Sequence, residues 1–206
     1  MKATAELHAE PLDIIITGVG GQGNVLASQV LGRALLNAGY NVTVGETFGL
    51  SQRGGAVMSM VRVTRDKTMG PLIPEHQATA VVSLEPLEAL RVLGAYGNAQ
   101  VVVLTNDRPL MPLNVIAGVN AYPELDELKN AIIELSSRLY WLPATEVALE
   151  LGNPILANVV ILGALTQSGL LPVGLKEIES ALAEMFGPDK MPANHKALER
   201  GAALLA

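Results

Sequence analysis

An apolar run that breaks into glycines and passes straight into an amphipathic helix leaves a chain few ways to fold. Asp13 to Thr17 carries three consecutive isoleucines and is followed by Gly18-Val19-Gly20-Gly21-Gln22-Gly23, the pattern of a buried strand stopped by a tight turn. From Gly23 to Ala38, small or apolar residues recur at Ala27, Val30, Leu31, Ala34, Leu35 and Ala38. That spacing paints one face of a helix, and Gly39 stops it. Val42 to Thr47 reads as the next strand. A strand–helix–strand opening implies parallel strands joined by a right-handed crossover.

The rest of the chain continues in the same style. Ala56 to Val63 reads as a strand with Val57, Ser59, Val61 and Val63 on one face, after a glycine-containing loop from Phe48 to Gly55. Thr64 to Gly70 reads as a turn, Ala78 to Leu84 as a buried strand, Glu85 to Gly94 as a short helix and Ala99 to Thr105 as another strand. Asn106 to Pro123 is interrupted by prolines and reads as irregular. Glu124 to Leu139 is amphipathic through Leu125, Leu128, Ile132 and Leu135, and Leu139 to Pro143 offers a last short strand. Pro154 to Ser168 is apolar nearly all round, so a buried helix is expected. Leu175 to Phe186 is amphipathic, and a final helix, Ala193 to Leu205, is expected on the surface or against a partner. The fold class is α/β: a three-layer α/β/α sandwich with a mostly parallel, mixed sheet and a Rossmann-like opening βαβ unit. Residues 1–206 read as one domain, with 1–11 a frayed segment.

Composition narrows the function classes. Cysteine is absent, which removes disulfides, thiolate metal sites, thiol nucleophiles and ligands for an iron–sulfur cluster together. A net charge of −6 with no basic run argues against a nucleic-acid surface. Aromatics make up 3% of the chain, so Ala, Val, Leu and Ile must fill the core. Pro154 to Leu165, the longest apolar run, is too short to span a bilayer. Met1 to Pro11 has no apolar stretch of the kind a signal peptide needs, so a cytoplasmic address is expected.

Gly18 to Gly23 lets backbone N–H groups at a helix N-terminus approach an anion. A G-x-G-x-x-G pattern is also compatible with a turn that merely packs helix on strand. As a Walker loop it fails, because Asn24 and Val25 stand where Lys and Ser or Thr are required. Glu46 ends the second strand, where a dinucleotide-binding fold holds a ribose, although a carboxylate there is often only solvated. Ser51-Gln52-Arg53-Gly54-Gly55 sets a guanidinium between polar residues and a glycine pair. In a parallel sheet this loop and the glycine turn gather at the same carboxyl edge, so Arg53 can face the turn and both can grip phosphate or carboxylate oxygens. His8, His76 and His195 lack the neighbouring carboxylate or histidine ligands of a metal site, and none is proposed. Trp141 reads as core or interface.

Taken together, Gly18 to Gly23, Glu46-Thr47-Phe48-Gly49 and Ser51-Gln52-Arg53-Gly54-Gly55 resemble the gamma domain of pyruvate and ketoisovalerate ferredoxin oxidoreductases. More narrowly, the chain is similar to the beta subunit of indolepyruvate ferredoxin oxidoreductase. The likeness continues through Ser83 to Leu90 and Asn153 to Gly163, and covers residues 12 to about 200. The resemblance implies a small subunit, inactive alone, of a complex that oxidises a 2-oxoacid (indolepyruvate or another aryl or branched acid) to an acyl-CoA. It implies that thiamine diphosphate and the iron–sulfur clusters sit on a large partner subunit, and that electrons leave to ferredoxin. No cofactor would be held permanently by this chain, and neither nucleic acid nor membrane would be a partner. Coenzyme A is the implied ligand, at Gly20, Gly21, Gln22, Gly23, Ser51, Gln52, Arg53 and Gly54, with no catalytic residue. A stand-alone NAD(P)-binding protein using Gly18, Gly20, Gly23 and Glu46, or a pure interaction module, remains the alternative.

Overall fold

In the computed structural model, which describes residues 5–48, 55–111 and 113–206, a six-stranded sheet separates two apolar layers. Its strands are β1 (Leu12–Val19), β2 (Asn41–Phe48), β3 (Ala56–Thr64), β4 (Ala80–Ser83), β5 (Val102–Asn106) and β6 (Arg138–Leu142). They lie in the order β2-β3-β1-β4-β5-β6. β1, β4, β5 and β6 pair in parallel, whereas β3 runs antiparallel to both β1 and β2. The sheet is therefore mixed and mostly parallel, as expected for this α/β class.

The opening unit differs from a plain Rossmann arrangement in one respect. β1 and β2 are parallel, but β3 lies between them, pairing Val19 with Ala56 on one side and Phe48 with Val57 on the other. A buried ion pair belongs to this insertion: Arg62 of β3 donates from Nε and Nη2 to the two carboxylate oxygens of Asp13, at 2.8 and 3.1 Å. Arg62 also donates to the Leu72 carbonyl at 2.8 Å, which fastens the segment after β3 to the sheet.

Side chains alternate between the layers, as strand geometry requires. Ile14, Ile16, Val61, Val63, Ala80, Val82 and Leu104 point to the larger layer, with α1 (Asn24–Asn37), α5 (Ala144–Glu150), α6 (Ala157–Gln167), α7 (Leu175–Met185) and α8 (Met191–Ala203). Ile15, Met60, Val81 and Val103 point to the smaller one, with α2 (Pro86–Tyr96) and α4 (Leu125–Glu134). A four-residue helical turn, α3 (Leu113–Ile116), interrupts the stretch expected to be irregular.

Three local expectations need correction. α4 stops at Glu134 and the last strand begins at Arg138, because Ser136 and Ser137 turn the chain where an apolar count alone continued the helix. α5 was not foreseen, being only seven residues long. The final helix does not lie loosely on the surface: it starts at Met191 and buries Ala197, Leu198, Gly201 and Ala202. Apart from these three, residues 5–11 of the segment expected to fray make contacts with the rest of the chain: Tyr40 Oη donates to the Ala5 carbonyl at 2.9 Å, and Leu7 packs on the core.

Candidate functional site at the carboxyl edge of the sheet

The connection from β1 runs by α1 to β2 on one side of the sheet order, while that from β4 runs by α2 to β5 on the other. Ligands of open α/β sheets bind where connections diverge in this way, outside the carboxyl ends of the strands. Here that point lies between β1 and β4, directly above the glycine turn.

Gly18 has no room for a side chain, since a Cβ would stand 2.6 Å from Gln22 Oε1 and 2.7 Å from Asn24 Oδ1. Gly21 and Gly23 adopt positive φ of 103° and 86°, which side chains with a Cβ resist. Gly20 N–H donates to the Gly55 carbonyl at 2.8 Å, and Gln22 N–H to Val19 at 3.2 Å. The α1 N-terminus has no side-chain cap, so its first N–H groups stay available to an incoming acceptor. Gly21 is exposed and its missing Cβ would meet nothing.

Gln22 is spent inward. Its Oε1 accepts from Val19 N–H at 2.7 Å and its Nε2 donates to the Leu84 carbonyl at 2.9 Å. Asn106, at the end of β5, donates to the same carbonyl at 3.2 Å. One carbonyl thus ties the carboxyl ends of β1, β4 and β5 together. Asn106 is otherwise occupied by Thr145, donating from Nδ2 to Oγ1 at 2.9 Å and accepting from its backbone N–H at 3.0 Å.

Glu85, just past β4, is buried. Its carboxylate caps α2 by accepting from Glu88 N–H at 2.9 Å, and also accepts from Leu110 N–H at 3.4 Å and from Tyr122 Oη–H. Burial, and then this carboxylate, push the Tyr122 phenol well above its ordinary range. Glu88 is raised too, first by burial and in part by Glu85, against the opposing pull of Arg91. Burial likewise raises Asp107, with Glu146 adding to it.

Between these loops lies a cavity of about 450 Å3, bordered by Gly21, Gln22, Asn106, Arg108, Leu110 and Ile155 among others. Arg108 is the one charged residue among the described residues that line it. Among the described residues, nothing around it pairs a nucleophile with a base. The arrangement can hold an anion on backbone N–H groups and a guanidinium.

Of the residues singled out in the sequence, Gly20, Gly21, Gln22 and Gly23 lie together at this edge. Ser51, Gln52, Arg53 and Gly54 fall outside the described residues, but the strands that flank their loop are placed: Phe48 at the end of β2 pairs with Val57, and Ala56 at the start of β3 pairs with Val19 beside the turn. Glu46 of β2 pairs with Ser59 of β3. With β3 interposed it stands two strand spacings, roughly 10 Å, from β1, so the ribose-binding corner of a dinucleotide fold is not formed. His8 and His76 are exposed, and His195 faces Glu179 and Glu199 from its two ring nitrogens at 2.7 and 3.2 Å. Trp141 is half-buried with Lys129 above its ring. Glu85, Asn106, Arg108, Tyr122 and Thr145 went unnoticed in the sequence; polar residues immediately after the buried strands β4 and β5 were the available signal.

Comparison with known proteins places this geometry in context. The model of the family described as pyruvate ferredoxin/flavodoxin oxidoreductase matches residues 13–204. The chain is 40% identical over 190 residues to indolepyruvate oxidoreductase subunit IorB of Pyrococcus horikoshii, covering 92% of this chain and 93% of that protein. The fold is shared with pyruvate oxidoreductase subunit PORC of Thermotoga maritima, with a TM-score of 0.68 at 22% identity over 95% of this chain and 97% of that one. It is shared also with 2-oxoglutarate:ferredoxin oxidoreductase of Magnetococcus marinus, solved with 2-oxoglutarate, coenzyme A and succinyl-CoA bound. There the TM-score is 0.73 at 20% identity, and the match covers 96% of this chain but 31% of that one.

Proposed function

The chain belongs to the pyruvate ferredoxin/flavodoxin oxidoreductase family, and from that premise we propose that it is the small subunit of an indolepyruvate-type 2-oxoacid:ferredoxin oxidoreductase. The observation that carries this reading is likeness over most of both chains: 40% identity across 92% of the chain and 93% of the relative. In this reading thiamine diphosphate and the iron–sulfur clusters reside on a larger partner in the cytoplasm, and electrons pass to ferredoxin. The sequence agrees, because a chain without cysteine has no thiolate to hold a cluster. The whole chain acts as one gamma-type domain.

The role of this subunit is positional. The Gly20–Gly23 turn and the Ser51–Gly54 loop grip an anionic part of coenzyme A at the carboxyl edge and hold it toward the partner. Support comes from the uncapped N-terminus of α1, the exposed Gly21, and the register that ends the Arg53 loop beside the turn. Calorimetry on the chain and on the assembled complex, with coenzyme A and with NADH, tests it. Coenzyme A should bind and NADH should not. Arg53→Ala should weaken coenzyme A by about 1.5–3 kcal/mol, the worth of one charge-assisted contact, while leaving the melt nearly unchanged. Arg53→Lys should restore only part, since an ammonium cannot make a two-pronged contact. NADH binding without coenzyme A binding would overturn the reading.

A further inference from the structure

A second cavity lies within the larger layer, beside the glycine turn, and the positional role of that turn does not use it. It holds about 460 Å3 and is bordered by α1, the 3-10 turn Pro154–Leu156, and the starts of α6 and α8. Leu26, Leu151, Leu156, Val159 and Phe186 give it an apolar lining. Set into that lining are Asn158 and Asn194, which are only 2% and 6% exposed.

Both amides are held in one orientation. Asn158 Nδ2 donates to the Gly23 carbonyl at 3.4 Å, and a Cβ on Gly23 would stand 2.1 Å from that nitrogen, so the amide is wedged against the turn. Asn194 Nδ2 donates to the Lys190 carbonyl at 3.0 Å. A carbonyl accepts and cannot donate, so each amide keeps its nitrogen there and turns its oxygen the other way. Among the described residues neither Oδ1 accepts a hydrogen bond. The side-chain atoms that are both enclosed and unpartnered are Asn24 Oδ1 and Ser59 Oγ, so the oxygens of Asn158 and Asn194 reach the open space they border. An acceptor removed from water without a partner is costly. Such oxygens inside apolar walls suit a molecule that brings donors of its own.

The same groove offers a donor in return. α8 has no side-chain cap, and Ala193, its third residue, lines the groove. An N–H at that position has no partner within its helix. Charge is balanced at the rim: Asp189 and Lys190 both border it, and the Lys190 ammonium stands 5.6 Å over the Phe186 ring.

We propose that this groove is a second ligand site, taking a small neutral carboxamide with an apolar body. Its N–H groups donate to Asn158 and Asn194 Oδ1, and its carbonyl accepts at the start of α8. Asn153 and Ile155 border both this cavity and the one above the glycine turn, whereas Asn158 and Asn194 border only this one of the two. The chemistry is also opposite, acceptors for a neutral donor here and donors for an anion there, and the inference does not depend on the proposed function.

The test is a residue-resolved NMR titration of the chain with benzamide. The side-chain amide signals of Asn158 and Asn194 should move saturably. Acetophenone, with a methyl group in place of the amide nitrogen, and benzoate, with an anionic oxygen there, should each bind at least about tenfold more weakly, because the asparagine oxygens stay unpaired or are repelled. Asn194→Leu and Ala193→Trp should each weaken benzamide by about tenfold or more, the first by removing an acceptor and the second by filling the groove. Thermal melts separate folding from binding; should Asn194→Leu melt early, Ala193→Trp, at an exposed position of α8, still reports. No saturable shift up to the solubility of benzamide overturns the inference, as does acetophenone or benzoate binding equally well. Ala193→Trp binding like the parent, or shifts confined to residues around Arg108 and Leu110, would place benzamide elsewhere and overturn it too. None of these outcomes bears on coenzyme A at the glycine turn, so the two readings fail separately.

Discussion

Gln22 shows how a residue inside a motif that reads as ligand-binding can serve the frame instead. Its amide joins Val19 N–H to the Leu84 carbonyl, so it links the exits of β1 and β4 at the place where their connections part. Gln22→Ala should lower stability by about 1–3 kcal/mol, because a part-buried donor and acceptor lose their partner. Gln22→Glu should cost at least as much, since a carboxylate sets an acceptor against the Leu84 carbonyl. Denaturant titration measures both, and a Gln22→Ala chain as stable as the parent would return the residue to the ligand. Motif spacing made the turn legible, but not the direction of this side chain, which depends on how close β4 stands. Glu88 is a second case. Burial raises its carboxyl from an ordinary value near 4.5, so over the interval above that value the folded state keeps a proton the unfolded chain has released. The associated stability is fully present below the unfolded value and is lost as pH rises through the folded one. Glu88→Gln should therefore gain stability relative to the parent at neutral pH and lose that advantage near pH 4. The Arg91 contact, with a mostly exposed guanidinium, subtracts little. Melts across pH read the difference, and a parent that is the more stable at neutral pH would contradict it.

At the scale of elements, helices and strands with large apolar residues declared themselves and those built on small ones did not. The β1, α1, β5, α6 and α7 segments were readable because Ile, Val and Leu recur with strand or helix periodicity. α8 was misplaced because its buried face is mostly Ala and Gly. It crosses α6 so closely that a Cβ on Gly163 would stand 2.1 Å from the Leu198 carbonyl, and one on Gly201 would stand 1.9 Å from the Val160 carbonyl. Both obstructions are helix backbone, which cannot turn aside as a side chain can. Gly163→Ala and Gly201→Ala should each cost about 1–3 kcal/mol or more by forcing the helices apart. The double substitution should cost less than the sum, because the first displacement makes part of the room the second needs. Chemical unfolding of the three variants gives the coupling directly. Additive losses would mean that the two glycines relieve separate contacts. The insertion of β3 was equally invisible, because strand order is decided by pairing between distant segments: Asp13 and Arg62, 49 residues apart, look like two unrelated polar residues in strands.

For the whole molecule, the features that carried furthest were one residue type that is missing and one turn that is present. The absence of cysteine removes thiolate ligands for a cluster from this chain, and the glycine turn marks the edge of the sheet where the candidate site lies. A chain so arranged has a candidate binding edge and an apolar layer on each side of its sheet, but no described pair of groups able to activate a nucleophile. Among the described residues no group of three or more His, Asp or Glu is placed so that it could hold a metal ion either. Purified alone, it should therefore be colourless and should not oxidise indolepyruvate or any other 2-oxoacid, with or without coenzyme A and ferredoxin. Mixed with the larger subunit it should restore oxidation, saturating at a fixed ratio of the two chains. Visible absorption of the separate chain and an activity titration against the larger subunit measure this. A brown preparation, or turnover by this chain alone, would show that the chemistry is not divided between the subunits in this way.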